Sequence, residues 1–123
     1  MQKFKYIIKS IPPSNNQFIG RNARWAYQDI KKQWAELINI VCRPKPTQPL
    51  KKAVVTLTYY FKDKRRRDPD NYSGKMILDG LVRAGILQDD SFNNIDLVLC
   101  GGYDKNNPRT EIEILERNSQ WQN

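Results

Sequence analysis

Apolar positions in the first segment recur at every second residue. Across Lys3 to Ser10, Phe4, Tyr6 and Ile8 share one face while Lys3, Lys5 and Lys9 fall mostly on the other, which predicts a strand. Pro12-Pro13 and Ser14-Asn15-Asn16 end it, because proline cannot donate to a ladder and Ser and Asn favour turns. The loop continues through Gly20-Arg21-Asn22. From about Arg24 the period lengthens. Tyr27, Ile30, Trp34, Leu37, Ile38 and Val41 follow helical spacing, with Lys31, Lys32, Gln33 and Glu36 outward, so a helix with one buried stripe is expected. Pro44, Pro46 and Pro49 make the next stretch a connector.

Ala53 to Phe61 is β-branched and aromatic almost throughout, the composition of a strand at the centre of a sheet. Val55, Leu57 and Tyr59 form one face; Val54, Thr56, Thr58 and Tyr60 form the other. A second helix is expected from Asn71 or Tyr72 to Arg83 or Ala84, with Ile77, Leu78, Leu81 and Val82 on its apolar side and Gly85 ending it. Asn94 or Ile95 to Cys100 alternates again and reads as a third strand. Gly101-Gly102 through Pro108 is turn material. Thr110 to Glu116 is a fourth strand, predicted to form a hairpin with the third. The order β-α-β-α-β-β defines an α+β protein, a small mixed β-sheet carrying two helices. Residues 1–123 form a single domain, with 117–123 a frayed tail whose Trp121 is its one large apolar residue.

Composition narrows the chemistry. A chain of 123 residues with 39% hydrophobic and 28% charged residues can bury a core without disulfides. Cys42 and Cys100 lack metal-ligand spacing, and the chain has no histidine. That removes Ser-His and Cys-His catalysis and most zinc sites. No apolar run reaches the ~18 residues of a membrane span, and the N-terminus lacks the apolar core of a signal peptide, so no membrane association and a cytoplasmic location are expected. The net charge of +8 favours a polyanionic partner, nucleic acid first.

The central strand runs directly into Lys62-Asp63-Lys64-Arg65-Arg66-Arg67-Asp68-Pro69-Asp70-Asn71. Cations attract phosphate, and clustered carboxylates hold hard cations such as Mg²⁺. Pro69 pushes Asp68 into extended geometry, where residues i and i+2 point to one side, so Asp68 and Asp70 aim together. Capping of the next helix by Asp70 or Asn71 is the plainer alternative; it leaves Asp68 without a role. Lys62, Lys64, Arg65, Arg66 and Arg67 are either phosphate contacts or a solvated charge run. Lys75 and Asp79, four residues apart, either pair on the helix surface or leave Lys75 facing the acidic site. A second acidic pair, Asp89-Asp90, follows the helix. Asn15 and Asn16 are either site-lining amides or turn formers.

In several separated blocks the chain resembles the RusA family of Holliday junction resolvases, endodeoxyribonucleases of phages and prophages. The blocks are Pro12-Pro13-Ser14-Asn15-Asn16, Arg65-Arg66-Arg67-Asp68-Pro69-Asp70-Asn71, Lys75, Asp79-Gly80-Leu81, Gly85 and Asp89-Asp90. The resemblance implies a homodimer that uses Mg²⁺, with Mn²⁺ as substitute, to cut four-way junctions and other branched DNA by paired symmetric nicks, leaving 5′-phosphate and 3′-hydroxyl ends in recombination and repair. It implies Asp68, Asp70 and Asp90 as metal ligands, gathered into one pocket, and Lys75 as the fourth catalytic residue. Asp89 and Asn71 are accessory candidates. One residue more separates Asp70 from Lys75 than the family pattern has. Two rival readings stand beside it: a branched-DNA-binding protein without catalysis, which leaves the separated aspartates unexplained, and a nuclease acting mainly on other branched DNA such as flaps and forks.

Overall fold

The computed structural model describes residues 1–20 and 23–118. Four strands, β1 (Lys3–Ile8), β2 (Ala53–Phe61), β3 (Ile95–Tyr103) and β4 (Arg109–Glu116), and two helices, α1 (Ala23–Val41) and α2 (Lys75–Arg83), follow the predicted order. They form one mixed sheet in the spatial order β1-β4-β2-β3.

Alternation along β2 decides the layering. Val55, Leu57 and Tyr59 are buried at 0, 0 and 3% exposure, and the residues between them are half-buried. β4 runs antiparallel to β2 with Val55 opposite Ile114 and Leu57 opposite Ile112, so the same face gains two more buried side chains. β1 extends that face with Tyr6 and Ile8. Each of these side chains contributes roughly 1.5–3 kcal/mol by leaving water. The two helices cover the face. Trp34 and Ile38 from α1 and Met76, Ile77, Leu78 and Leu81 from α2 complete the core. Gly80 lets the helices approach closely, since a Cβ there would lie 2.6 Å from Ile38 Cδ1.

The predicted hairpin of β3 and β4 does not form. Both strands pair with β2, on opposite sides: β3 runs parallel to it and β4 antiparallel. The link between them crosses the end of β2, where Asp104 N–H donates to Phe61 O at 2.8 Å. Arg109 fixes that crossing by donating to Asp104 at 2.8 Å and Asn107 O at 2.9 Å. With β2 already the best-buried strand, the sheet gains more by flanking it twice than by closing a local turn. Gly101 and Gly102 therefore belong to β3 and not to the turn.

The second helix also begins later than its periodicity suggested. Pro69–Asn71 forms a separate 3-10 turn, and α2 starts at Lys75 after Gly74, which sits in the left-handed region at φ 80°. The helix ends as expected at Gly85. Ile86 N–H reaches Leu81 O at 3.0 Å and Gly85 N–H reaches Val82 O at 3.1 Å, the paired bonds of a left-handed glycine stop. Arg117 N–H still bonds Lys52 O at 2.8 Å; Trp121 lies outside the described residues. Among the described residues, no helix is long and apolar enough to cross a membrane.

Candidate active site

The segment leaving β2 is built by Arg67. Its guanidinium lies 4.3 Å over the Phe61 ring, donates to Asp63 O at 3.2 Å and Arg65 O at 3.1 Å, and pairs with the Asp63 carboxylate at 2.9 Å. Its side chain is only 15% exposed. The hydrogen bond from Arg67, with a second from Arg65 N–H, holds the Asp63 carboxyl below its usual range. Of the basic run, Arg67 is thus a structural clasp. Arg65 and Arg66 project outward, with side chains 77% and 88% exposed. Lys62 is exposed as well, and Lys64 Nζ lies 5.0 Å over the Tyr103 ring.

Asp68 has the extended backbone that Pro69 requires, φ −101° and ψ 140°. The turn after it closes through Asn71 N–H to Asp68 O and Tyr72 N–H to Pro69 O, each 3.0 Å. Tyr72 seats the turn on the sheet, its ring 5.1 Å from Phe61 and 5.8 Å from Tyr59. From the other side Asn15 Nδ2 donates to Asp70 O at 3.1 Å, and Ser14 Oγ accepts from Asn16 N–H at 3.2 Å. The Asn15-Asn16 turn is therefore both a turn and a brace against the acidic segment.

Neither carboxylate caps a helix. Asp68 makes no side-chain cap bond and accepts from Arg66 Nε at 3.2 Å; α2 starts beyond Gly74, again without a side-chain cap. The carboxylate of Asp70 is exposed and makes no hydrogen bond or ion pair among the described residues. Lys75 opens α2, exposed. Asp79 pairs with Lys31 of α1 at 3.8 Å and not with Lys75. An open groove beside the turn is lined by Ser14, Asn16, Arg65, Arg66, Asp68 and Asn71. The sequence pattern did not reveal Ser14, Phe61, Asp63 and Tyr72 as its framework; the i, i+4 spacing of Asp63 and Arg67 was the available signal.

Asp89 and Asp90 lie elsewhere. Leu87 bridges Leu50, just before β2, and Gln88 N–H bonds Leu50 O at 2.9 Å. Asn94, just after the acidic pair, accepts from Ala53 N–H, the first residue of β2, at 2.9 Å. Asp68 and Asp70 follow the last residue of β2, and their turn packs beside Leu99 and Gly101. Because β2 and β3 are parallel, the segment leaving β2 and the segment entering β3 must sit at opposite ends of the sheet. Among the described residues no three Asp, Glu, His or Cys side chains cluster closely enough to hold a metal. Within one chain, Asp68 and Asp70 therefore flank Pro69 on the exit side of β2, and Asp90 lies in the segment that enters β3.

No curated protein gives a significant match to the chain. A family profile, Endodeoxyribonuclease RusA, matches residues 9–115. That span takes in the Ser14-Asn16 turn, the arginine-aspartate segment, Lys75 and Asp90: the chain belongs to the RusA family of endodeoxyribonucleases.

Proposed function

We propose that this protein is a divalent-metal-dependent nuclease that resolves four-way DNA junctions by paired nicks, working in a bacterial cytoplasm on recombination and repair intermediates. The observation that carries the reading is the uncapped pair Asp68 and Asp70, held on a braced turn between exposed Arg65 and Arg66 on one side and Lys75 on the other. The donor set fits a hard cation. It is all carboxylate oxygen and solvent-facing, and Mg²⁺ or Mn²⁺ tolerates few protein ligands because it keeps several waters. The resemblance adds Asp90 as the third proposed ligand, which one chain holds with the segment entering β3 and not on this turn, and Asp89 and Asn71 as accessory groups. A bound cation would neutralise charge on the phosphate and make a water acidic enough to attack it.

The chain's own groups supply the rest. Arg65 and Arg66, with Lys62 and Lys64, hold the phosphates flanking the cut. Lys75, a compact ammonium at the start of α2, faces the charge that builds on the phosphoryl oxygens. Asn15 keeps the Asp70 backbone in place, and Asn16 lines the groove. Water attack with departure of the 3′ oxygen leaves a 5′-phosphate and a 3′-hydroxyl. Symmetric nicks on a two-fold junction call for two sites related by two-fold symmetry, and so for a homodimer. Replacing Asp70 with Asn tests the reading: junction binding should persist or tighten, since like-charge repulsion falls, while cleavage in Mg²⁺ is lost. Normal cleavage by Asp70→Asn would overturn the assignment, and wild-type protein that binds junctions without cutting them would leave a binding protein instead.

A further inference from the structure

We infer that the cavity beside Asp68 seats one unstacked nucleobase, from a nucleotide next to the phosphate that is cut. The inference rests on the nuclease reading and adds to it where a base of the DNA goes. Two hollows meet at the acidic turn, and Arg67, Asp68 and Tyr72 line both. One is the groove with exposed Arg65 and Arg66, which suits phosphate. The other is a cavity of about 100 Å³ between the turn and β3, walled by Tyr59, Phe61, Pro69, Tyr72, Leu99 and Gly101. That is well below the roughly 300–1,000 Å³ of a typical ligand pocket, and it leaves room for little more than one ring. Its walls are aromatic: the Tyr72 ring lies 5.1 Å from Phe61 and 5.8 Å from Tyr59. Flat rings of this kind stack any base.

Gly101 is what leaves the space. It stands opposite Tyr59 in the β2-β3 register, so a side chain there would rise from the helix-covered face beside Tyr59. A Cβ at Gly101 would meet nothing within 4 Å. Its φ is not positive, so the backbone does not require glycine, and the missing side chain serves only to keep the cavity open. Arg67 supplies the polar edge. Its Nη1 makes the bonds to Asp63 and Arg65, while Nε and Nη2 make none among the described residues. A guanidinium stacked on Phe61 with donors to spare gives a base both a hydrogen-bonding fork and an extension of the aromatic wall. Because Asp68 borders both hollows, one nucleotide can lay its phosphate in the groove and its base in the cavity. Drawing a base out of intact duplex costs stacking and pairing, and costs least where the strand is already unpaired. The seat therefore favours branch points over linear duplex.

A binding cycle tests this. The Asp70→Asn chain is titrated with four-way junctions in which one nucleotide at a time, through the branch point, lacks its base. At one position in each cut strand the removal should weaken binding by about 5- to 150-fold, the stacking of one base. Gly101→Val, a strand-compatible residue that fills the cavity, should lose the same factor on the intact junction and nothing further at that position. Its melting temperature should not fall, and its log-log salt slope should match that of the parent chain, since no phosphate contact is touched. Full affinity in Gly101→Val, or a Gly101→Val loss that is equal for intact and abasic junctions at every position, would overturn the inference. A scan of the parent chain with no sensitive position would overturn it too, whatever the stability of the variant. Wild-type protein that cuts junctions in Mg²⁺ but gives such a flat scan keeps the nuclease reading and loses the base seat. A chain that shows the cycle and never cuts keeps the seat and refutes the nuclease reading.

Discussion

Gly74 joins the acidic turn to α2, and replacing it with alanine should loosen both. Its φ of 80° lies in the left-handed region, which costs a residue bearing a Cβ about 1–2 kcal/mol. The added Cβ would also fall 2.3 Å from Leu57 Cδ1 and 3.4 Å from the Tyr59 hydroxyl. Leu57 is fully buried at the centre of the sheet, so it cannot swing into solvent, and forcing a methyl into a packed core costs about 1–3 kcal/mol more. The two effects sum to about 2–5 kcal/mol, a large share of the roughly 5–15 kcal/mol that holds a domain together. In urea the midpoint should fall by about 1–3 M with the slope unchanged. Gly85→Ala separates the contributions. Gly85 has φ 79°, but a methyl added there would meet nothing within 4 Å, so it should lose only the backbone part, about 1–2 kcal/mol. If Gly74→Ala costs no more than Gly85→Ala, the contact with Leu57 does not set the position of the turn, and the site is less rigidly held than described.

The basic run should divide in two. Arg65→Ala or Arg66→Ala should reduce the log-log salt slope of DNA binding by about 0.9 each, while Arg67→Ala should leave the slope alone and speed backbone hydrogen exchange across residues 62–68; a slope change at Arg67 without faster exchange would reverse the assignment. The hydrogen bond from Arg109, at 2.7 Å, lowers the Glu111 carboxyl below its usual 4.5. A depressed folded value means that the stabilisation is complete above the unfolded value and is lost as pH falls through the folded one. Wild type should therefore melt above Glu111→Gln at neutral pH and converge with it in acid, and a gap that persisted in acid would count against that pair. Cys42 is fully buried, and burial pushes its thiol up to about 12, so a thiol reagent at pH 8 should reach it only on unfolding; prompt modification of Cys42 in the native protein would show that this part of the core is open.

Much of the fold was legible because burial imposes a period. β2 and the α1 stripe could be read directly, since a strand buried on one face and a helix buried on one side leave different spacings of the same apolar residues. The partner of β3 was not legible. Gly101-Gly102 through Pro108 read as the turn of a hairpin because the third and fourth strands follow each other, and nothing local says that β2 can be flanked on both sides. The start of α2 was missed because Tyr72 sits at helical spacing from the residues that follow, yet packs on Phe61 and Tyr59 from a separate turn. At the site, the extended backbone of Asp68 was legible through the effect of Pro69; the 3-10 turn that carries Asp70 was not, so the two carboxylates are not set by the alternation of an extended segment. The distance to Asp90 was not legible either, because it depends on β2 and β3 being parallel. Arg67 shows the same limit: four adjacent cations look alike as letters, and only Phe61 and Asp63 set the last of them apart.

The most direct measurement is cleavage of a synthetic four-way junction beside a linear duplex of the same sequence, with Mg²⁺ and with EDTA. Cleavage of the junction alone, in symmetric pairs, dependent on Mg²⁺ and abolished in Asp68→Asn and Asp70→Asn, is the expected result. Cutting that survives EDTA, or that continues after either substitution, would contradict the assignment of that carboxylate turn as the nuclease centre.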